Sequence, residues 1–252
     1  MVVILSQANS SSLSEQNFDD WLDDFKKEWN QGEHVALIGQ TGTGKTTVAH
    51  RILDIREFVC VLAIKREDDT LERFRRGQKF GRSSYVVVTK WPPDFPARKV
   101  ILWIKPKSLH HKDVHQQSLK VYDALNKMYL SGGWCIYLDE AGYLAGVLGL
   151  SSAIGILLNQ GRSAHISVVA TMTRPSSVVA RIPKEALTQV RHHLIFKYID
   201  DNEMKKCADI VGVSLAVMRE FQRALRIDSR KGFSDFVYVG KGKVILVRNT
   251  GG

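Results

Sequence analysis

Short apolar runs alternate with helical patterns along most of the chain. Several runs are apolar throughout, which is typical of strands buried on both faces of a sheet. The alternation predicts an α/β fold with a mainly parallel sheet and helices on both faces. From His34 onward the predicted strands are HVALIG, FVCVLAI, YVVVT, KVILWI, GWCIYLD, ISVVAT and HHLIFKY, and the predicted helices lie near 45–55, 67–77, 113–131, 150–161, 201–211 and 214–225.

The two ends of the chain carry different patterns. After the polar stretch QANSSSLSEQN, apolar residues recur at helical spacing, and Ser12 with Glu15 fits a capping box. This predicts an amphipathic helix with Phe18, Trp21, Leu22, Phe25 and Trp29 on its apolar face. The ending FVYVGKGKVILVRN predicts a β-hairpin turned by Gly240, Lys241 and Gly242. We therefore divide the chain into an N-terminal segment with its helix, 1–33, and one domain, 34–252.

The stretch GQTGTGKTT follows the first predicted strand and opens a helix. It satisfies the pattern G-x-x-x-x-G-K-[ST] of a P-loop, or Walker A motif, in which backbone N–H groups surround phosphate oxygens at the positive end of a helix. We expect Lys45 to reach the β- and γ-phosphates and the Thr46 hydroxyl to bind Mg²⁺. The predicted nucleotide contacts are Gly39, Gln40, Thr41, Gly42, Thr43, Gly44, Lys45, Thr46 and Thr47.

A second motif supplies the acidic partner that a P-loop metal needs. In GWCIYLDEAG an apolar run ends in Asp139 and Glu140. Asp139 at the strand end is predicted to hold Mg²⁺ through water, which is the Walker B role. Glu140 is predicted to be the base that polarises an attacking water, which favours hydrolysis. ATP and Mg²⁺ are the expected cofactors.

Composition and charge favour a nucleic-acid partner. Of the 252 residues, 44% are hydrophobic, and no apolar run approaches the ~20 residues of a membrane span. Cys60, Cys135 and Cys207 lack metal-ligand spacing, which is typical of reduced thiols in an intracellular protein. Lys and Arg exceed Asp and Glu by ten, whereas residues 1–33 carry an acidic excess. The remaining chain is therefore basic enough to attract a polyanion.

The strand ISVVAT runs into Met-Thr-Arg-Pro-Ser-Ser. In P-loop ATPases with an added strand between the Walker A and Walker B strands, that strand ends in a polar residue beside the γ-phosphate. This predicts an additional-strand, RecA-like (ASCE) sheet here. Thr173 is the first candidate for this sensor and Thr171 the second. Threonine also suits strand ends for structural reasons alone.

GQTGTGKTT, CIYLDE, and a GR shortly before a strand ending in TRPS together resemble the HerA–FtsK superfamily of DNA-pumping ATPases. The resemblance covers about 34–200. It implies a ring, usually hexameric, that moves duplex DNA through a central channel. One branch comprises the single-domain genome-packaging ATPases of viruses and phages, and this compact chain is closest to that branch. The sensor in the family is often Gln, where this chain has Thr173.

The resemblance also implies residues that act between subunits and on DNA. An arginine from the neighbouring subunit usually completes each site, and Arg162 is the first candidate, followed by Arg174 and Arg191. Each of them could also be an ordinary surface arginine. Basic residues that face the channel are predicted to grip DNA phosphates without reading bases. The candidates are Arg73, Arg75, Arg76 and Lys79, with Lys105 and Lys107 as further ones.

These observations lead to one main hypothesis and several alternatives. The main hypothesis is an ATP-driven double-stranded DNA translocase that packages a viral or phage genome and hydrolyses ATP at the subunit interfaces of a ring. A capsid or portal protein would be its partner, and the host cytoplasm or the virion its location. The alternatives are a conjugation or mobile-element DNA-transfer ATPase, a phage-assembly ATPase of the zonula-occludens-toxin type, and a nucleotide-dependent scaffold that does not move DNA.

Overall fold

A computed structural model describes residues 14–67, 85–179, 181–198, 200–227 and 234–249. Its described strands join into a ten-stranded sheet in the order β1-β10-β9-β8-β2-β7-β6-β3-β5-β4. β9 is antiparallel to both of its neighbours, and the other pairs are parallel. The strands are β1 Ser14–Asn17, β2 His34–Ile38, β3 Val59–Ala63, β4 Val86–Val88, β5 Lys99–Trp103, β6 Cys135–Leu138, β7 Ser167–Met172, β8 Val190–Ile195, β9 Phe236–Gly240 and β10 Lys243–Arg248.

Helices connect the parallel strands and cover the sheet. None of the described helices has both the length and the apolar character that crossing a membrane requires. The helices are α1 Phe18–Glu28, α2 Lys45–Leu53, α3 His111–Ser131, α4 Ala141–Gly146, α5 Ser151–Gln160, α6 Pro175–Val179, α7 Lys184–Leu187, α8 Asp201–Val211 and α9 Leu215–Ala224, and a 3₁₀ turn spans Gly161–Ala164.

The sheet separates two hydrophobic clusters because successive side chains of a strand point to opposite faces. In β2, Ala36 and Ile38 pack with α3, α5 and α8, whereas Val35 and Leu37 pack with α1 and α2. All five residues of β2 are buried, and so are those of β3. The predicted parallel sheet with helices on both faces is confirmed.

The position of β7 is the feature of the sheet that matters most for the site. β7 pairs with β2 on one side, Val35 opposite Val169, and with β6 on the other, Leu138 opposite Ala170. The strand that ends in the threonines therefore lies between the strands that end in the P-loop and in Asp139. This confirms the additional-strand arrangement predicted from the sequence.

The seven strands predicted from His34 onward all form, and so do five of the six helices. The sixth, near 67–77, lies outside the described residues. The predicted capping box is wrong. Helix α1 begins at Phe18, and the Asn17 side chain accepts the Asp20 N–H at 2.9 Å. Glu15 lies instead in β1, which the sequence did not predict, and binds Arg248 of β10 at 2.9 Å.

The C-terminal hairpin is confirmed, but its turn is shorter than predicted. Gly240 pairs with Lys243, so that only Lys241 and Gly242 form the loop. Both residues have positive φ, 50° and 78°, as a two-residue type I′ turn requires. The turn directs the Lys241 ammonium toward the start of β2.

Lys241 meets a buried polar group that joins the hairpin to the start of β2. Its Nζ lies 3.0 Å from Glu33 Oε2, and the Asn30 N–H also donates to this oxygen. His192 of β8 lies between Glu33 Oε2, 3.1 Å from Nε2, and the Tyr238 hydroxyl, 2.9 Å from Nδ1. Burial opposes ionisation of Glu33, but these donors outweigh it and lower its pKa from 4.5 to about 2. An ionised Glu33 can only accept, so the His192 proton resides on Nε2.

Glu33→Gln should destabilise the protein by about 1–3 kcal/mol at pH 7, because it removes a buried charge that several donors satisfy. A carboxylate with a lowered pKa contributes stability above its ordinary pKa, and this contribution is lost as the pH falls toward the native pKa. The difference between variant and parent should therefore shrink from pH 5 to pH 2.5 in urea unfolding followed by circular dichroism.

Glu57→Gln is the matched control, since Glu57 forms an exposed pair with Arg98. It should change the stability by less than about 0.5 kcal/mol. A difference for Glu33→Gln that stays constant over this pH range would contradict the assigned role of the Glu33 charge.

Candidate nucleotide-binding site

The candidate site lies where the carboxyl ends of β2, β6 and β7 meet. These strands are adjacent and parallel, so the residues that follow them share one edge of the sheet. Residues 39–44 form the loop from β2 into α2, Asp139 and Glu140 follow β6, and Thr173 follows β7. Ligands of open parallel sheets bind at this edge.

The loop after β2 has the backbone curvature that phosphate binding requires. Gly42 and Gly44 both have φ near +83°, which side chains disfavour. A Cβ at Gly39 would lie 2.5 Å from the Cβ of Phe196, so only glycine fits beside β8. The Thr43 hydroxyl donates to the Gln40 carbonyl at 2.9 Å and closes the loop on itself. The loop then leads directly into the N-terminus of α2.

Lys45 is the buried cation of this loop. It is only 7% exposed, and its ammonium donates to the carbonyls of Gly39 and Gln40, each at 2.8 Å. Burial lowers the pKa of Lys45 to about 8, although the charges of Glu140 and Asp139 act to raise it. An anion bound within the loop would offset this burial cost, because it supplies the opposite charge that the neutral carbonyls lack.

Asp139 receives hydrogen bonds on both carboxylate oxygens. Oδ1 accepts from the Tyr137 hydroxyl at 3.2 Å and from the Thr171 hydroxyl at 3.1 Å. Oδ2 accepts from the Lys65 ammonium at 2.8 Å. Tyr137 and Thr171 are each 1% exposed, so the donors on Oδ1 are fixed by the core. The carboxylate is therefore held in one orientation at the edge of the sheet.

Glu140 is oriented by both threonines of the strand end. Its backbone N–H donates to the Thr171 hydroxyl oxygen, and its Oε1 accepts from the Thr173 hydroxyl, both at 2.9 Å. Its φ of 59° is in the left-handed region, which costs free energy for a residue with a side chain. Such conformations persist where surrounding contacts impose them and are frequent in active sites.

The residues predicted to hold Mg²⁺ suit that ion in their chemistry. Thr46 offers a hydroxyl and Asp139 a carboxylate, and hard cations such as Mg²⁺ prefer oxygen ligands. The two residues converge on Tyr137. Burial and then the Asp139 charge raise the pKa of the Tyr137 hydroxyl, whereas hydrogen bonds to Thr46 and Thr171 oppose this. The Tyr137 hydroxyl thus contacts both predicted metal residues.

Comparisons with known proteins identify the fold. Neither models of protein families nor curated sequences match the chain. Among solved structures, the genome packaging NTPase B204 from Sulfolobus turreted icosahedral virus 2, in complex with AMPPCP, matches with a TM-score of 0.59 and 13% identity over 87% of this chain and 98% of that chain. VirB4 of Thermoanaerobacter pseudethanolicus matches with a TM-score of 0.58 and 9% identity, over 87% and 89%.

A third match is the cytoplasmic domain of the Type VII secretion ATPase EccC from Thermomonospora curvata. Its TM-score is 0.54, with 11% identity over 87% of this chain and 25% of that chain. The chain has a P-loop NTPase fold. This is the fold that the resemblance to the HerA–FtsK superfamily implies, and that expectation is confirmed.

The fold places two of the candidate arginines at one edge of the sheet and the third at the other. Arg162 lies in the 3₁₀ turn before β7, and Arg191 is the second residue of β8, so both are at the amino ends of their strands. β7 has six residues, a length of about 20 Å. Arg162 is therefore remote from Asp139 of its own chain. Arg174 directly follows Thr173 and is exposed at the edge of the site.

The basic residues predicted to contact DNA are only partly described. Arg73, Arg75, Arg76 and Lys79 lie outside the described residues. Lys105 and Lys107 follow β5 and are exposed at the carboxyl edge of the sheet. Lys105 Nζ lies 3.8 Å from the centre of the Trp103 ring, a distance typical of a cation–π contact.

Sequence reasoning missed two residues that contact Asp139, namely Lys65 and Tyr137. Tyr137 is part of an apolar run, and nothing in that pattern separates it from a core aromatic residue. Lys65 follows β3 by two positions, and β3 pairs with β6. The strand order therefore brings Lys65 beside Asp139, but no motif in the sequence indicates that β3 pairs with β6.

Thr171→Val should destabilise the protein by about 1–3 kcal/mol, because the Glu140 N–H would lose its acceptor and Asp139 Oδ1 would lose one of its two donors without a change in side-chain shape. Urea unfolding measures the effect. Thr171→Ser keeps the hydroxyl and should retain most of the stability. A valine variant as stable as the parent would show that this hydroxyl does not support the two acids.

Proposed function

We propose that this protein is an ATPase that moves double-stranded DNA, and that it packages a viral or phage genome. The supporting observation is the end-to-end likeness to a viral genome packaging NTPase, together with the convergence of Lys45, Asp139, Glu140 and Thr173 at one sheet edge. The formal charge of +10 suits a polyanionic partner.

The P-loop residues bind ATP in this proposal. Lys45 exchanges the carbonyls of Gly39 and Gln40 for phosphate oxygens, and the N-terminus of α2 faces the anion. Thr46 and Asp139 would hold Mg²⁺, which neutralises charge on the β- and γ-phosphates when bound.

Glu140 acts as the general base for the attacking water. Its backbone N–H is held by the Thr171 hydroxyl, and its side chain is held at Oε1 by the Thr173 hydroxyl. A base must be within hydrogen-bonding reach of the water it polarises, so a fixed orientation favours the reaction. The Thr173 hydroxyl is then the sensor, because a shift of Glu140 during hydrolysis changes its hydrogen bond, and this change would pass into α6, which begins two residues later.

We place the active unit in a ring, usually hexameric in the resembling superfamily, in which Arg162 of one subunit completes the site of the next. Arg162 lies at the sheet edge opposite its own P-loop, as a head-to-tail interface would require. A guanidinium there would stabilise charge on the transferring phosphate. Arg174 and Arg191 remain the second and third candidates.

DNA binding is assigned to the basic residues at the carboxyl edge and to Arg73, Arg75, Arg76 and Lys79. Contacts to phosphates carry no base sequence information, so the motor would accept any duplex. A capsid or portal protein would hold the ring at the particle, in the host cytoplasm or the virion.

A second candidate is a secretion-type motor whose cargo is not DNA. The likeness to a Type VII secretion ATPase favours it. The two candidates share ATP hydrolysis and differ in the effect of DNA on its rate.

ATP turnover measured with and without linear duplex DNA tests the proposal. We expect DNA to raise turnover, and the stimulation to fall steeply between 50 and 200 mM salt because phosphate contacts release counterions. Glu140→Gln keeps the acceptor for Thr173 but removes the base, and should lower turnover by about 10²–10⁴-fold with nucleotide binding retained. Lys45→Ala should abolish nucleotide binding.

Glu57→Gln serves as the matched carboxylate control and should behave like the parent. Turnover that DNA does not change would favour the secretion-type candidate. Turnover that survives Glu140→Gln would show that Glu140 is not the base.

Mixing two inactive variants tests whether Arg162 acts between subunits. Arg162→Ala should lower turnover by about 10³-fold or more while nucleotide binding persists. In a randomly mixed ring of Arg162→Ala and Glu140→Gln subunits, about a quarter of the interfaces pair an intact base with an intact arginine, as head-to-tail contacts allow. Turnover should therefore reappear on mixing, with the oligomeric mass measured in the same buffer. A mixture as inactive as its components would exclude Arg162 as this group.

A further inference from the structure

Three donors to Asp139 among the described residues differ in how firmly they are held. Tyr137 and Thr171, which bind Oδ1, are each 1% exposed. The Lys65 side chain, which binds Oδ2, is 48% exposed, whereas that of Asp139 is 15% exposed. Water screens a half-exposed ion pair, and a lysine side chain has many alternative rotamers. Lys65 is therefore the donor that a competing cation displaces with the least cost.

The backbone of Lys65 is anchored independently of its ammonium group. β3 pairs with β6 in parallel register, Leu62 opposite Leu138, so Lys65 follows one strand where Asp139 follows the other. The Lys65 carbonyl accepts the Trp103 indole N–H at 2.8 Å. The side chain can exchange partners while its Cα stays beside Asp139.

A carboxylate has about four lone-pair positions for hydrogen-bond donors. Three donors among the described residues already use these positions in Asp139. A water molecule of the Mg²⁺ shell would have to use the remaining position, close to the ammonium on Oδ2, which repels the ion. Metal binding through Asp139 must therefore displace Lys65 or bear its repulsion.

We propose that Lys65 is a positioning residue that competes with the metal for Asp139 and so weakens metal binding at the nucleotide site. This inference rests on the proposed function, because it assumes that Asp139 holds the metal. The competition keeps the metal exchangeable, which suits a motor that must release Mg²⁺ and ADP in every cycle. The Lys65 charge also reaches the phosphate loop. Burial lowers the pKa of Lys45, and Lys65 adds to that effect.

The test is Mn²⁺ affinity in the presence of ADP, read from the electron paramagnetic resonance signal of free Mn²⁺. Protein is kept in excess over ADP so that the nucleotide is bound. Lys65→Met keeps an unbranched side chain of similar length and removes its charge, and it should bind Mn²⁺ about two- to five-fold more tightly, as expected for a partly exposed ion pair. Lys65→Arg should stay close to the parent.

Two controls separate this role from a general charge effect. Lys127→Met removes one positive charge from an exposed pair with Asp123 on α3 and should leave the Mn²⁺ affinity unchanged. In an Asp139→Asn background, Lys65→Met should bring no gain, because the contested carboxylate is absent. A gain that persists in that background would overturn the proposed competition.

The remaining outcomes are decisive as well. If Lys65→Met binds Mn²⁺ as the parent does, or more weakly, Lys65 does not compete for Asp139 and the inference is overturned, whereas the proposed function stands. If the parent protein binds no ADP, and Lys45→Ala therefore changes nothing, the proposed function is overturned and this inference with it.

Discussion

The Thr171 hydroxyl donates to Asp139 Oδ1 and accepts the Glu140 N–H, and the candidate site depends on this double contact. It exists because β7 lies between β2 and β6. A strand in any other position would leave the two acids at the end of β6 without an anchor on the side of the P-loop. The buried Thr171 hydroxyl thereby links Asp139, which is assigned to the metal, to Glu140, which is assigned to the water. Thr173, two residues later, holds the Glu140 carboxylate. Hydrogen bonds to charged groups are the stronger kind, so this network can maintain the left-handed backbone of Glu140.

Near this network two charged side chains, those of Lys45 and Asp139, are largely buried at positions where bound ATP and its metal would supply the opposite charge. Lys45 lies among backbone carbonyls, where burial lowers its pKa, and the Asp139 charge is compensated at Oδ2 by Lys65. Both cations face the edge of the sheet to which ATP and its metal are assigned. The Glu33 group contrasts with this. There Lys241 and His192 satisfy a buried carboxylate within the protein, and the group joins the hairpin to the start of β2. Lys45 and Lys65 can exchange their present partners for a ligand, whereas the Glu33 group stabilises the fold.

The sequence was sufficient where local pattern determines structure. Buried parallel strands are continuous apolar runs, and the P-loop has a specific spacing of Gly39, Gly44 and Lys45, so both could be predicted. It was insufficient where the answer depends on strand pairings that no motif indicates. Lys65 is an unremarkable lysine after a strand until β3 is known to pair with β6. The sequence singled out Thr171 and Thr173 but could not say which acid each of them contacts. The register of β7 against β6 decides that Thr171 contacts Asp139 and that Thr173 contacts the Glu140 carboxylate. The capping box failed for a related reason, since pairing of β1 with β10 takes Glu15 into a strand.

The contacts at the site differ in burial, and this difference bears on the proposed cycle of nucleotide binding and release. Contacts from the core, those of Tyr137 and Thr171, are fixed, whereas the contacts made by Lys65 and Thr173 involve side chains nearer the surface. Exchange of nucleotide and metal requires some bonds at the site to break while the acids keep their positions. The buried contacts of Tyr137 and Thr171 can hold the acids in place while those of Lys65 and Thr173, the outer set, exchange partners. The free energy needed to break contacts is then limited to a few partly exposed hydrogen bonds. Since Thr173 follows β7 directly and Pro175 begins α6 two residues later, a change at the outer set would pass first into α6 and from there to α8, through the bond between the Ser176 N–H and Glu203.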